Sequence, residues 1–459
     1  MPARDAEPFP RAVLDVLGAA ADRPVFEHGT RLVTGSEMLD LVARIASGLR
    51  AKGLGPGDGV ALIQGVNPEA FATIIAAHAV GARVVGVRPG LTEVQVEHLL
   101  SLDIRLVVRD GDIPWARASE LSCDGRPGDV ARLIHTSGST GVPKACAQTY
   151  ASMTNAWTAR PDAWPPAVRE LAGRLRRYLV FGSLSSQVMF EYAILTLTAG
   201  GTVVVADNPT DAITRHSATA RVITVPGLAK LVANQRHSPA GLSSLRALLV
   251  SGSPLTTGRH REALEVLGPV LFHGYGQTET GMISMATPSD PPGTVGTPPV
   301  DVEIRDGELF VRTPAQASGY WGNPEESQQV FVDGWVRTRD LGHFDADGFL
   351  HLTGRARDVV IVNANLHYLG PIEHVIAEHP DVAEAYVVAV PDDETGEAVH
   401  AFVVPKGDRV PELQEIRDLV TARLGAACAP VRVTAIAEPP VAPSGKPDKR
   451  LLAKSTSTA

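Results

Sequence analysis

Cysteine is scarce in this chain: three among 459 residues, Cys123, Cys146 and Cys428, far apart and without metal-ligand spacing. That leaves no disulfide framework to read and points to a reducing cytosol with ordinary thiols. Long apolar runs are also missing. None would span a bilayer without a charge, and Met1-Pro2-Ala3-Arg4-Asp5 opens no apolar core of signal-peptide length. The expectation is a cytoplasmic protein without a membrane partner. A basic stripe is absent as well. Lys and Arg number 42 against 51 Asp and Glu, a net charge of −9, which speaks against a nucleic-acid partner. The densest basic cluster, Arg174, Arg176 and Arg177, reads as a solvated helix face. The chain has no internal repeat and no low-complexity stretch. Its tail, Ser455-Thr456-Ser457-Thr458-Ala459, reads as disordered.

What is present suffices for a sizeable core. The composition is 44% hydrophobic and 20% charged, and the length suits two or three domains. Met38 to Leu49 has the apolar spacing of an amphipathic helix. A turn at Gly53-Leu54-Gly55-Pro56-Gly57-Asp58 precedes a short buried strand, Val60-Ala61-Leu62-Ile63. Ala70 to Val80 reads as a second helix and Val84-Val85-Gly86-Val87 as a second strand. Arg221 to Val225 and Ala247 to Val250 continue the series. This rhythm predicts an α/β fold: a large N-terminal domain of parallel and mixed sheets covered by helices. Glu303-Ile304-Arg305 and Glu308 to Arg312 flank Asp306-Gly307, a hairpin signal. Beyond Arg355 a small α+β unit follows, with helices over Ile372 to His379 and Glu412 to Leu424 and strands over Ala385 to Val390 and Ala398 to Val404. The expected domains are 1–355 and 356–459, joined by a hinge.

One stretch carries the most chemistry. Thr136-Ser137-Gly138-Ser139-Thr140-Gly141-Val142-Pro143-Lys144 follows the apolar run Ala131 to His135. Glycines let a backbone approach a phosphate, hydroxyls and amides donate to its oxygens, and a lysine adds a mobile charge. The spacing is not that of the nucleoside triphosphatase P-loop. A plain Gly/Ser turn is the competing explanation, and the length and order of the run weigh against it.

The string resembles the phosphate-binding loop of the acyl-adenylate-forming superfamily: acyl- and aryl-CoA synthetases, peptide-synthetase adenylation domains and firefly luciferase. Four further stretches, with a turn upstream of the first of them, resemble its motifs in the right order. In Gly274-Tyr275-Gly276-Gln277-Thr278-Glu279 the resemblance implies that Tyr275 stacks on adenine, Thr278 contacts the α-phosphate and Glu279 ligates Mg²⁺. Upstream, Gly252-Ser253-Pro254 resembles the turn that packs on adenine's other face. Trp335 to Gly342 resembles Trp-x-x-Thr-Gly-Asp-x-Gly, with Asp340 on the ribose hydroxyls and Arg339 where Gly is usual. Gly354-Arg355-Ala356-Arg357-Asp358 resembles Gly-Arg-x-Lys-Asp, with Arg355 on ribose or phosphate and Arg357 at the hinge. Pro443-Ser444-Gly445-Lys446 resembles the catalytic lysine loop, with Lys446 bridging the substrate carboxylate and the α-phosphate.

The substrate side departs from the pattern. Ser185, Ser186 and Gln187 stand where relatives line the acyl pocket, often with an aromatic residue or His. No Asp stands there for an α-ammonium; Glu191 comes a turn later. A hydroxylated, aromatic or polar carboxylic acid suits this lining, and so does a packed helix start without substrate contact. Ala364-Asn365-Leu366-His367-Tyr368 departs from the Gly-containing CoA pattern and tilts the acceptor toward a carrier protein. The resemblance thus implies an enzyme that uses ATP and Mg²⁺ to make an acyl-AMP and then loads a thiol, on a carrier protein or CoA. The alternatives are transfer to an amine and a non-catalytic nucleotide-binding relative.

Overall fold

The computed structural model describes residues 7–136, 144–206, 212–239, 241–252, 255–363, 365–392, 394–442 and 446–456. Strand-forming segments rich in Val, Ile and Leu alternate with capped helices, and among the described residues the strands assemble into four sheets. One runs Gly281–Ala286, Leu271–Gln277, Ala247–Ser251, Ala220–Ile223, Arg177–Val180, Thr202–Val205, Pro24–His28, Arg31–Thr34, parallel except for the pair at each end. A second runs Gly319–Tyr320, Lys144–Thr149, Val130–Thr136, Arg83–Gly86, Gly59–Ile63, Ile104–Arg109. It is parallel on one side and antiparallel from Val130–Thr136 outward.

Helices fill the space between these two sheets. Pro68–Ala79 is buried on nearly every side, from Ala70 through Ala79, as a helix apolar on most of its faces must be. Its start is set locally: the Asn67 side chain accepts from Ala70 N, and Pro68 occupies the first position. One continuous apolar core joins Val60 and Val84 of one sheet to Phe26 and Val203 of the other through Phe71, Ile75 and Phe190. A third, antiparallel sheet carries the expected hairpin, Asp301–Arg305 against Glu308–Arg312. Asp306 and Gly307 both have positive φ, 51° and 80°, as a type I′ turn requires.

The C-terminal unit has its own sheet and its own core, in which Val360, Ile372, Ile376, Val403, Ile416 and Val420 are buried. No helix among the described residues is long and apolar enough to cross a membrane.

Four local expectations need correction. The strand read as reaching Val225 ends at Ile223, because the Thr224 hydroxyl caps a helix starting at Val225. The helix expected from Ile372 begins at Leu369, since Pro371 is tolerated in a first turn. The Arg174 cluster is not a helix face: Arg174 pairs with Glu170, and Arg177 opens a strand and pairs with Glu27. Ser455 and Thr456, read as tail, complete the helix Lys449–Thr456.

Candidate active site

Antiparallel pairing of Val130–Thr136 with Lys144–Thr149 sets Thr136 opposite Lys144. Ser137, Gly138, Ser139, Thr140 and Gly141 lie outside the described residues, as do Ser253, Pro254 and Ala364. Lys144 Nζ lies 2.6 Å from Glu326 Oε1 and 5.4 Å from the centre of the Tyr320 ring.

The strand Leu271–Gln277 brings Gly274 beside Ser251 and aims two donors at Asp340. Tyr275 OH donates to Asp340 Oδ2 at 2.9 Å and Gln277 Nε2 to the same oxygen at 2.6 Å. Asp340 is buried within Trp335–Phe344, directly opposite Arg355 in the strand pairing, and Arg355 Nε stands 3.1 Å from its Oδ1. Burial and then the Asp340 charge push the Tyr275 phenol well above its ordinary range, so it remains a donor. Tyr275 also packs into an apolar cluster with Ile283, Val295 and Leu309.

Past this strand, a tight connection carries Thr278 and Glu279. Thr278 O accepts from Cys146 Sγ at 3.6 Å, and Glu279 Oε1 accepts from Tyr320 OH at 2.7 Å. Among the described residues no group of three or more His, Cys, Asp or Glu stands together to hold a metal. A single carboxylate still fits Mg²⁺, which takes most of its ligands from water and substrate phosphates.

Lys446 reaches the same place from the C-terminal unit. A small antiparallel bridge, Val441 with Pro447, holds its backbone, and Ala442 N donates to Lys446 O at 2.8 Å. Its side chain lies over Gly252: a Cβ built on that glycine would stand 3.1 Å from Lys446 Cε. Gly252 also has φ of 90°, so both backbone and space call for glycine there. Lys446 keeps exposed surface, yet the protein crowds its amine. Burial and then Arg355 push the ammonium pKa down, Asp340 and Glu279 pull it up, and the net shift is downward. The fold thus gathers Gly252, Tyr275, Glu279, Asp340, Arg355 and Lys446. Arg357 stands apart from them, with NH2 3.6 Å from Glu326 Oε1.

The three expected pocket residues behave differently from one another. Ser185 packs against Gly86, where a Cβ would come within 2.3 Å of it. Ser186 precedes the helix Gln187–Thr198. Gln187 Nε2 donates to Glu191 Oε1 at 2.9 Å. Glu191 in turn receives Arg132 NH2 at 2.9 Å, and Arg132 Nε donates to Gln148 Oε1 at 2.5 Å. Arg132, Gln148, Phe190 and Glu191 line a small cavity with Phe9 and Met153. Arg132, Gln148, Tyr320 and Glu326 escaped the sequence reading. The available signal was weak: Arg132 and Gln148 are polar interruptions in apolar strands that face each other in register.

Comparison with known proteins agrees with this architecture. The profile of the family described as AMP-binding enzyme matches residues 16–113 and 103–321, and that of the AMP-binding enzyme C-terminal domain matches 371–446. The fatty acid–[acyl-carrier-protein] ligase ScoC of Streptomyces coeruleorubidus is 28% identical over 88% of each chain. A feruloyl-CoA synthase of Amycolatopsis sp. is 29% identical over 83% of this chain and 86% of its own. The structure of the amide bond synthetase McbA from Marinactinospora thermotolerans superposes with a TM-score of 0.84 at 31% identity, covering 97% of this chain and 99% of that one.

Proposed function

The chain belongs to the AMP-binding enzyme family as an AMP-forming ligase that activates a carboxylic acid with ATP, and we propose the residue roles, acid class and acceptor that follow. The substrate carboxylate oxygen attacks the α-phosphorus of ATP, the bond from that phosphorus to the bridging oxygen breaks, and pyrophosphate leaves. Lys446 and the 136–144 loop meet the negative charge that grows on the phosphoryl oxygens. Tyr275 and Gly252 border the base, Asp340 and Arg355 the ribose, and Thr278 the α-phosphate. Glu279 would hold Mg²⁺, which neutralises phosphate oxygens when bound. The unit from residue 356 onward then turns about Arg357 and withdraws Lys446, and a thiolate displaces AMP from the acyl carbon to leave a thioester. The observation that carries this reading is Lys446 lying over Gly252, with Asp340, Arg355 and Glu279 as its charged neighbours.

The acid is proposed to be aromatic, hydroxylated or otherwise polar, because Gln187, Glu191, Arg132 and Gln148 form a hydrogen-bonded polar wall. An α-amino acid is disfavoured, since Arg132 and Gln187 already engage the Glu191 carboxylate. The acceptor is proposed to be a carrier-protein thiol, with CoA as its nearest rival; likeness to ScoC supports the former. Transfer to an amine is the second reading, favoured by likeness to the amide bond synthetase structure.

The test is pyrophosphate release with ATP, Mg²⁺ and a panel of benzoates, hydroxybenzoates, fatty acids, dicarboxylates and amino acids, followed by addition of carrier protein, CoA or amine. One responsive class of acids is expected. Lys446→Ala should lower that rate by about 10²-fold or more and leave ATP binding largely intact. An unchanged rate would remove Lys446 from the chemistry.

A further inference from the structure

Glu326 has an unusual set of neighbours. It lies on the short helix Pro324–Val330, beside the strand Gly319–Tyr320, which pairs with the strand that Lys144 opens. Its Oε1 meets Lys144 Nζ at 2.6 Å, Arg339 NH1 at 2.7 Å and Arg357 NH2 at 3.6 Å. The side chains of Glu326, Lys144 and Arg339 are only 16%, 13% and 16% exposed, so solvent screens these pairs little. Burial works to raise the Glu326 pKa, but hydrogen bonds from Lys144 and Arg339 overcome it and carry the acid down to about 2.

Arg339 reaches Glu326 from a strained position. Its φ is 59°, a region that penalises side chains with a Cβ. A glycine would adopt this backbone freely, whereas the arginine sets a guanidinium against Glu326 at the cost of that strain. That guanidinium faces Glu326 and also lies 3.5 Å from Gln329 Oε1. The two cations differ in kind. Lys144 is a compact charge on a flexible stem and can leave, whereas the planar fork of Arg339 is suited to hold a carboxylate.

We propose that Glu326 is a positioning residue that stands in for the terminal phosphates of ATP, holding Lys144 until the nucleotide binds, with Arg339 kept as the counter-ion that retains Glu326 when Lys144 departs. The proposal rests on the reading of the 136–144 loop as a phosphate site. Binding of the triphosphate tail exchanges one anion for another at Lys144, so part of its attraction is spent on breaking the Lys144–Glu326 pair. AMP lacks the β- and γ-phosphates and is indifferent to that exchange.

Isothermal titration of the full-length protein with MgATP and with AMP tests this, with thermal melting of each variant as the check on folding. Glu326→Gln should bind MgATP about three- to fivefold more tightly than wild type, with the AMP Kd unchanged. Glu326→Asp should keep wild-type affinity for both. Arg339→Gly leaves Lys144 as the principal cation on Glu326, ties it down more firmly and should weaken MgATP binding alone. A purely structural role would move ATP and AMP together, and both variants in the same direction. Weaker or unchanged MgATP binding by Glu326→Gln, or equal tightening of AMP, overturns the proposal. Wild-type protein that binds neither nucleotide would overturn the nucleotide-site reading itself, and this role with it.

Discussion

Asp340 and Lys446 show how single side chains divide the electrostatic work. Asp340 is buried, and a buried carboxylate must be met by donors; Tyr275, Gln277 and Arg355 meet it from three directions. Lys446 is the opposite case, a cation brought among charges of both signs, with its pKa pushed below that of an ordinary lysine. In the role proposed for Lys446, only the protonated amine can neutralise the reacting phosphate. With the pKa lowered, the protonated form of Lys446 is lost as pH rises through that lowered value, below the ordinary lysine range. The pH profile of kcat/KM for ATP–pyrophosphate exchange, which reports the free enzyme, should therefore fall on its alkaline side before the usual lysine range. In Lys446→Arg that limb should vanish, because a guanidinium stays protonated throughout, even if the overall rate is lower. A limb that persists in the arginine variant would belong to another group.

At the scale of elements, the strand pair Leu271–Gln277 and Gly281–Ala286 delivers Thr278 and Glu279 on its connecting turn. The pairing shifts register between Tyr275 and Gly276. At Gly276 the two strands come so close that a Cβ would stand 2.4 Å from Gly281 O. Gly276→Ala should cost about 1–3 kcal/mol, visible as a lower melting temperature. It should also slow pyrophosphate release by displacing the turn; full activity with an unchanged melt would mean that the strands separate freely. The physics that made elements legible in the sequence is local. Asp306-Gly307 announces its turn because few residue pairs accept two positive φ values, and alternating strands flank it. Asn67-Pro68 carries a start signal of the same local kind, although the helix was expected only from Ala70. Where the sequence misled, a local rule was overridden: Gly370-Pro371 looks like a turn before a helix but lies inside it, and Thr224 ends a strand because its hydroxyl caps a helix. The site divides in the same way. Tyr275, Glu279, Asp340, Arg355 and Lys446 sit in compact motifs that can be read one at a time. Arg132 with Glu191, Tyr320 with Glu279 and Lys144 with Glu326 are pairs separated by 59, 41 and more residues, and folding alone makes them partners.

At the scale of the whole molecule, the C-terminal unit is held against the rest by more than Lys446. Arg259, on the helix Thr257–Leu267, lies 3.1 Å from Glu384 on the strand Val382–Asp392, and Tyr386 OH donates to the same carboxylate at 2.6 Å. Glu384 is largely buried, so this ion pair belongs to the arrangement that places Lys446 over Gly252. Arg259→Ala should slow acyl-AMP formation by about tenfold, the effect of ~1.4 kcal/mol, while consumption of preformed acyl-AMP by the acceptor changes less. Single-turnover measurements of the two steps give the comparison, and equal slowing of both would assign Arg259 to stability instead.

The enclosed helix Pro68–Ala79 has a mechanical consequence. It touches both large sheets through one continuous core and acts as a weld between two plates. Sliding one plate past the other would shear close-packed side chains on both sides of that weld. The two sheets consequently behave as one fixed anvil, and on the proposed reading the stroke of the reaction cycle would be left to the unit that carries Lys446.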